Sequence, residues 1–145
     1  MESWRHVFRE GVVPSLGNDE LAALRKALEE DDNALLQGAT TSPPPLHYVQ
    51  DWPVEAACPL AYVGWKGKGL NIVAAVEEAF AQLCFDCDER LTEPEAVRWF
   101  LNWWDESPRN AARRQLLKEV NLVLKQREET EKNVTHETSA DAERP

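Results

Sequence analysis

The residues most able to do chemistry are the cysteines, of which the chain has three. Cys84 and Cys87 form a Cys-x-x-Cys pair, and Cys58 together with His47 or His6 could complete a four-ligand zinc site. Both members of the pair, however, fall on the apolar arc of a predicted helix, where a thiol behaves as a small hydrophobic group. They also lie near the C-terminal end of that helix, whereas redox-active pairs are typical of helix N-termini. We therefore expect core cysteines, with zinc binding as the alternative.

A glycine-rich loop, Gly64–Gly69, carries two lysines and precedes a predicted helix. Glycines let the backbone approach a ligand, and the free amides at a helix N-terminus attract anions. A phosphate or nucleotide bound here would be held by Lys66, Lys68 and the amides near Asn71. The loop matches neither of the common glycine-rich phosphate motifs. We therefore expect a flexible turn between helices, and anion binding is the alternative.

Three of the six tryptophans lie in the predicted helix 93–105. Apolar residues cover about 200° of its helical wheel, roughly twice the width that a helix packed on one side needs. Either the helix is buried between two layers, or Trp99 and Trp103 stand on the surface one turn apart. In the second case these rings, with Arg98 and Asn102 beside them, would form a docking face, because tryptophan is enriched at the centres of protein interfaces.

The sequence lacks the common motifs of serine hydrolases, zinc proteases, di-iron bundles and calcium loops. Glu55 and Arg113 each lie within an otherwise apolar face, and a buried charge must be paired or neutralised. We expect these two residues to be paired, with each other or with another partner. An enzyme built on Glu55 would need a second catalytic group, and none lies near it in the sequence. The pattern favours a protein without catalysis and calls for no cofactor.

Apolar residues at helical spacing predict six helices, at about 4–10, 19–30, 54–65, 71–88, 93–105 and 108–127. Gly11 is expected to end the first helix, and Pro59 to kink or split the third. Thr92 and Glu95 have the spacing of a capping box for the fifth. No strand-like alternation persists, so the sequence predicts no sheet.

Two proline-containing connections shape the predicted bundle. Three consecutive prolines make Gly38–Pro45 an extended connector, which we call the strap. Ser107 and Pro108 start the last helix directly after the preceding one, because serine caps a helix and proline fits its first position. So short a connection predicts a C-terminal αα-hairpin.

The chain has 145 residues, a formal net charge of −10 and a pI near 4.8. We expect one helical domain over 1–128 and a disordered acidic tail over 129–145, because the tail has almost no large apolar residues. The acidity argues against binding to nucleic acid or to anionic membranes. An odd number of cysteines, with no apolar stretch of signal-peptide or membrane-span length, favours a cytoplasmic protein.

Together these patterns predict an all-α protein, an irregular bundle of about six helices with a C-terminal αα-hairpin and a proline-rich strap. The leading hypothesis is a non-enzymatic interaction or adaptor module. It would dock to an unknown protein partner, or to a second copy of itself, through Trp99, Trp103, Arg98 and Asn102. Binding of a small anion, a nucleotide or zinc is the alternative hypothesis.

Overall fold

Six α-helices and one very short β-sheet make up the computed structural model, which describes residues 3–142 and the side chains of residues 3–133. The helices are α1 (Trp4–His6), α2 (Asn18–Glu30), α3 (Pro59–Tyr62), α4 (Val73–Arg90), α5 (Ala96–Glu106) and α6 (Arg109–Ala142). Strands β1 (Thr41–Ser42) and β2 (Ala56–Ala57) pair antiparallel, with Thr41 opposite Ala57. The predicted all-α irregular bundle is confirmed, and the two-residue strands are a feature that the sequence analysis missed.

The N-terminal helix continues past the glycine that was expected to end it. After α1 the chain forms a π-helix over Val7–Val12 and a 3-10 helix over Val13–Ser15. Gly11 therefore lies within helical structure, and the reason for a glycine is packing against α4. A Cβ atom at this position would lie 2.5 Å from Cys87 Sγ and 2.9 Å from Leu91 Cδ1.

The predicted helix 54–65 begins only at Pro59, so the prediction is wrong for its first five residues. Residues 54–58 are extended and include β2. Proline disfavours the helical conformation in the residue before it and fits the first position of a helix. Accordingly, Cys58 has φ −67° and ψ 166°, and α3 starts at the next residue.

The burial predicted for this segment is nevertheless confirmed. Every residue from Ala56 to Gly64 is buried. The chain leaves α3 through a π-helix over Val63–Gly67, which packs against α2. The segment is therefore central to the core although only part of it is helical.

Helix α5 is capped by a residue of α4 rather than by its own capping box. The carboxylate of Asp88 accepts hydrogen bonds from the amides of Val97 at 2.8 Å and Glu95 at 3.1 Å. The hydroxyl of Thr92 donates to the carbonyl of Leu91 instead. The predicted pairing of Thr92 with Glu95 is therefore wrong, because a carboxylate from another helix already occupies the amides.

Helix α6 follows α5 after a short connection, but it packs mainly along α2. Arg113 donates to the carbonyl of Leu28 at 2.8 Å. Arg109 donates to the carbonyls of Asp32 at 2.9 Å and Leu35 at 2.8 Å. These carbonyls lie at and just past the end of α2, where a helix leaves acceptors without partners. The two arginines therefore fix the end of α2 to the start of α6.

The rest of α6 is tied to the N-terminal part of the chain. Glu119, only 3% exposed, receives two hydrogen bonds of 2.7 Å from Arg9. Arg5 lies 3.2 Å from the same carboxylate. Further along, Arg127 donates to Oδ1 of Asn18, the first residue of α2, at 3.0 Å. The partners that a buried carboxylate needs are thus supplied by a different helix.

The end of α5 is held by the loop that follows α2. The side-chain amide of Gln37 donates to the carbonyls of Trp104 at 2.6 Å and Ser107 at 2.9 Å. In return, the indole of Trp104 donates to the carbonyl of Leu36 at 2.7 Å. The hydroxyl of Ser107 donates back to the carbonyl of Trp103, so Ser107 also helps to close the end of α5.

The predicted acidic tail, 129–145, begins inside α6, and this helix continues to Ala142. Residues 143–145 lie outside the described residues, and so do residues 1–2 of the predicted domain. The domain bounds and the disorder of the segment 129–145 stay predictions.

The close packing of Gly11 yields a stability prediction. Gly11→Ala should lower the free energy of unfolding by about 1–3 kcal/mol, because the new methyl group must displace Cys87 or Leu91. In the Gly11→Ala/Cys87→Ala double variant the loss should be smaller than the sum of the two single losses, since removing the sulfur makes room. Urea unfolding of the four proteins measures this coupling, and strictly additive losses would contradict the packing explanation.

Candidate functional site

An exposed apolar surface lies where the strap runs into the segment before β2. Its four large side chains are Leu46 (46% exposed), Tyr48 (71%), Trp52 (51%) and Ile72 (38%), and we call them the aromatic patch. The rings of Tyr48 and Trp52, which we call the aromatic pair, meet edge to face with centroids 6.3 Å apart. Together the four side chains expose on the order of 400 Å², within the range of the largest apolar patches on monomeric proteins.

Backbone hydrogen bonds hold this surface in place. The amide of Trp52 donates to the carbonyl of Val49 at 3.0 Å, and the amide of Val73 donates to the carbonyl of Trp52 at 2.9 Å. The side chain of Val49 is buried in the protein and anchors the loop there. Pro53 and Ile72 form an isolated antiparallel bridge, so the backbone of Ile72 lies beside the residue that follows Trp52. The exposed rings are therefore presented by a fixed backbone.

The aromatic patch was not predicted from the sequence. The helix predicted to start at about residue 54 would leave the ring of Trp52 just before a helix boundary. One signal was present: prolines lie on both sides of Tyr48 and Trp52, and they argue against a regular element that contains these rings. Exposure itself depends on which elements pack against the loop, and the sequence does not specify that.

The two tryptophans of α5 that were predicted to form a docking face, Trp99 and Trp103, are less exposed than the rings of the aromatic patch. Trp103 stacks on Trp4 of α1, with centroids 3.6 Å apart and planes 5° from parallel. Trp99 is half-buried and packs against the core. Arg98 and Asn102 are exposed, and Arg98 lies 3.7 Å from Glu95, the residue just before α5, in an ion pair. The N-terminal helix thus covers part of the wide apolar arc of α5.

The predicted anion site is not assembled around the glycine-rich loop. Lys66 lies over the ring of Trp65, 4.2 Å from its centroid, whereas Lys68 lines a cleft on α4 that also contains carboxylates. The first two amides of α4, next to Asn71, are occupied by the loop before β2. Val73 donates to the carbonyl of Trp52, and Ala74 to that of Gln50. These amides are therefore engaged by protein rather than open to a ligand.

The predicted zinc ligands are also not brought together. Cys58 and Cys87 are buried and Cys84 is half-buried, whereas His47 is exposed in the 3-10 helix His47–Val49. Within the part of the chain whose side chains are described, no group of three His, Cys, Asp or Glu residues could hold a metal ion. Burial raises the pKa of each of the three thiols to about 12. The thiols are thus kept in the protonated form, which is a poor ligand and nucleophile.

The charged pair expected from the sequence does not form between Glu55 and Arg113. Glu55 is exposed, because the segment that carries it is extended rather than helical. Arg113 is instead placed 3.7 Å from Asp31, and it donates to the carbonyl of Leu28. The pairing with each other is therefore wrong, while Arg113 does find other partners. Glu55 has no buried setting of the kind that a catalytic carboxylate uses.

Comparison of the chain with protein-family models, with curated proteins and with solved structures gave no match. Among the described helices, none has the length and apolar character needed to cross a membrane.

The buried thiols predict that the protein is destabilised at alkaline pH. In the unfolded chain a thiol loses its proton near pH 8.5, whereas folded Cys58 keeps its proton up to a pKa of about 12. Between these values the unfolded state binds fewer protons, so the free energy of unfolding falls as pH rises. Cys58 alone should account for on the order of 2 kcal/mol at about pH 10.

Urea midpoints measured near pH 7 and near pH 10 test this, with Cys58→Ala as the matched control. The variant should lose less stability between the two pH values than the wild-type protein. The contribution of Tyr62, whose pKa burial raises to about 12, is common to both proteins. An equal loss in both would contradict the assignment to Cys58.

Tryptophan substitutions should separate the structural rings from the exposed one. Trp104→Ala should cost about 3–5 kcal/mol, because the ring is fully buried. Trp103→Ala should cost less, since its ring is partly exposed but stacks on Trp4. Trp52→Ala should cost at most about 1 kcal/mol. Urea unfolding followed by circular dichroism measures all three, and a loss at Trp52 as large as that at Trp104 would show that Trp52 is structural.

Proposed function

We propose that this protein is a non-enzymatic interaction module that docks to a protein partner through the aromatic patch. The observation that carries the proposal is the exposed aromatic pair on a fixed loop. Tyrosine and tryptophan are the residues most enriched at energetically dominant interface positions. Exposing them to water in a contiguous group is unfavourable for an isolated protein, which supports a role in contact with another molecule.

The rigidity of the loop supports the same conclusion. Binding costs conformational entropy when loops and side chains must be ordered, and a preorganised surface avoids part of that cost. Here Val49 anchors the loop in the core, and the carbonyls of Gln50 and Trp52 accept hydrogen bonds from the start of α4. The backbone that carries the aromatic pair is therefore already bonded to the start of α4 before any partner arrives.

The aromatic patch is a better docking surface than the face of α5. One face of the Trp103 ring stacks on Trp4, so this ring already contributes to the fold. The outer side of α5 keeps Trp99, Arg98 and Asn102 as a second surface, with less exposed aromatic area. This ranking predicts which substitutions remove binding, and the two surfaces can be tested side by side.

Affinity purification of the tagged full chain from its native host tests the proposal. Wild-type protein should recover a partner that the Tyr48→Ala/Trp52→Ala variant recovers at least about tenfold less well, since hot-spot truncations cost 2 kcal/mol or more. Phe85→Ala is the matched control, because Phe85 is 61% exposed on α4 and lies outside the patch. Circular dichroism should show all variants folded.

The competing surface is tested by Trp99→Ala in the same experiment. A partner that is retained by the Tyr48→Ala/Trp52→Ala variant and lost with Trp99→Ala would place the interface on α5. That result would contradict docking through the aromatic patch while leaving an interaction role in place.

A further inference from the structure

The aromatic patch is too small for a stable dimer. Its exposed area, on the order of 400 Å², is about half of the roughly 800 Å² that each partner buries in a stable interface. A second copy would also bring its own net charge of −10 to the same surface. A short segment of a different protein, which contacts only a few side chains, fits this area better.

The backbone around the patch offers little for strand pairing. Pro43, Pro44, Pro45 and Pro53 have no amide hydrogen to donate. The amide of Val54 is already bonded to the carbonyl of Asn71 at 2.9 Å. Recognition of a segment laid across this surface must therefore come from side chains rather than from an added β-strand.

The chain segment that carries three of the four patch residues has exposed carboxylates and no lysine or arginine. Segment 38–65 contains no lysine or arginine, although the chain has 16 of them. It does contain Asp51 and Glu55, and both are exposed. Lys66, the first cationic residue after this segment, lies over the ring of Trp65. An incoming cation would therefore meet carboxylates and aromatic rings without a competing lysine or arginine from the segment itself.

Aromatic faces next to carboxylates are a suitable environment for a guanidinium group. The face of an aromatic ring attracts cations, most strongly when the ring is tryptophan. A guanidinium is planar, so it can stack on a ring and at the same time donate hydrogen bonds to a carboxylate. A lysine ammonium is more strongly hydrated and lacks the planar face, so arginine fits this surface better.

Resting on the proposed function, we infer that the occupant of the aromatic patch is a short, extended, basic segment of a partner protein. An arginine of that segment stacks on the aromatic pair and pairs with Asp51 or Glu55. An apolar neighbour of the arginine packs against Leu46 and Ile72. The acidic surroundings select for the basic segment, and the aromatic rings supply most of the contact area.

A random library of linear peptides of about twelve residues, selected on the full chain, tests this inference. Peptides that also bind the Tyr48→Ala/Trp52→Ala variant are discarded. The remaining peptides should be rich in arginine next to aliphatic residues or proline. Their affinity should fall about three- to tenfold with Asp51→Asn/Glu55→Gln, fall further as salt is added, and be unchanged with Phe85→Ala.

Different failures have different meanings. Selected peptides that depend on the aromatic pair but are neutral or acidic would overturn the basic segment and leave docking at the patch intact. The same holds if a host partner depends on the pair while no linear peptide does. If neither a peptide nor a host partner depends on the pair, both proposals fail. A dimer in native mass spectrometry that Tyr48→Ala/Trp52→Ala dissociates would overturn the inference in favour of a second copy.

Discussion

A helix leaves its last carbonyl groups without amide partners, and at the end of α2 the arginines of α6 supply the missing donors. Arg113 reaches the helix end, and Arg109 reaches two carbonyls of the loop that follows. The same loop then bonds the end of α5 through Gln37. Three helices therefore meet through one loop, and the position of the strap, which starts at Gly38, depends on that junction.

The tryptophans of this chain differ in role because of what lies on each side of them. Trp104 is enclosed and hydrogen-bonded, whereas Trp103 has one face against Trp4. Trp52 lies in the loop before β2, next to the exposed ring of Tyr48, and about half of its surface remains in water. Side-chain chemistry is the same in every case, and the elements packed around each ring decide whether it stabilises the fold or remains exposed.

Helical periodicity predicts the helices well, because the period is a property of consecutive residues. Most of the failures come from contacts between different elements of the fold, and one, the late start of α3, comes from the local effect of Pro59. Gly11 was taken as a helix end although it is a packing contact with α4. Asp88 caps α5 in place of the predicted box, and Glu55 is turned outward because Pro59 delays α3. The aromatic patch was missed for the same reason, since exposure is a property of the assembled bundle.

The hydrogen bonds between α4 and the loop before β2 make the two a single unit for local unfolding. The amides of Val73 and Ala74 are held by the carbonyls of Trp52 and Gln50, so they can exchange with solvent deuterium only when the loop detaches or the helix frays. Any molecule that stabilises the loop must slow exchange at these two amides. Hydrogen exchange in the first turn of α4 thus reports whether the loop that carries the aromatic pair is in place, although this turn contributes little area to the aromatic patch.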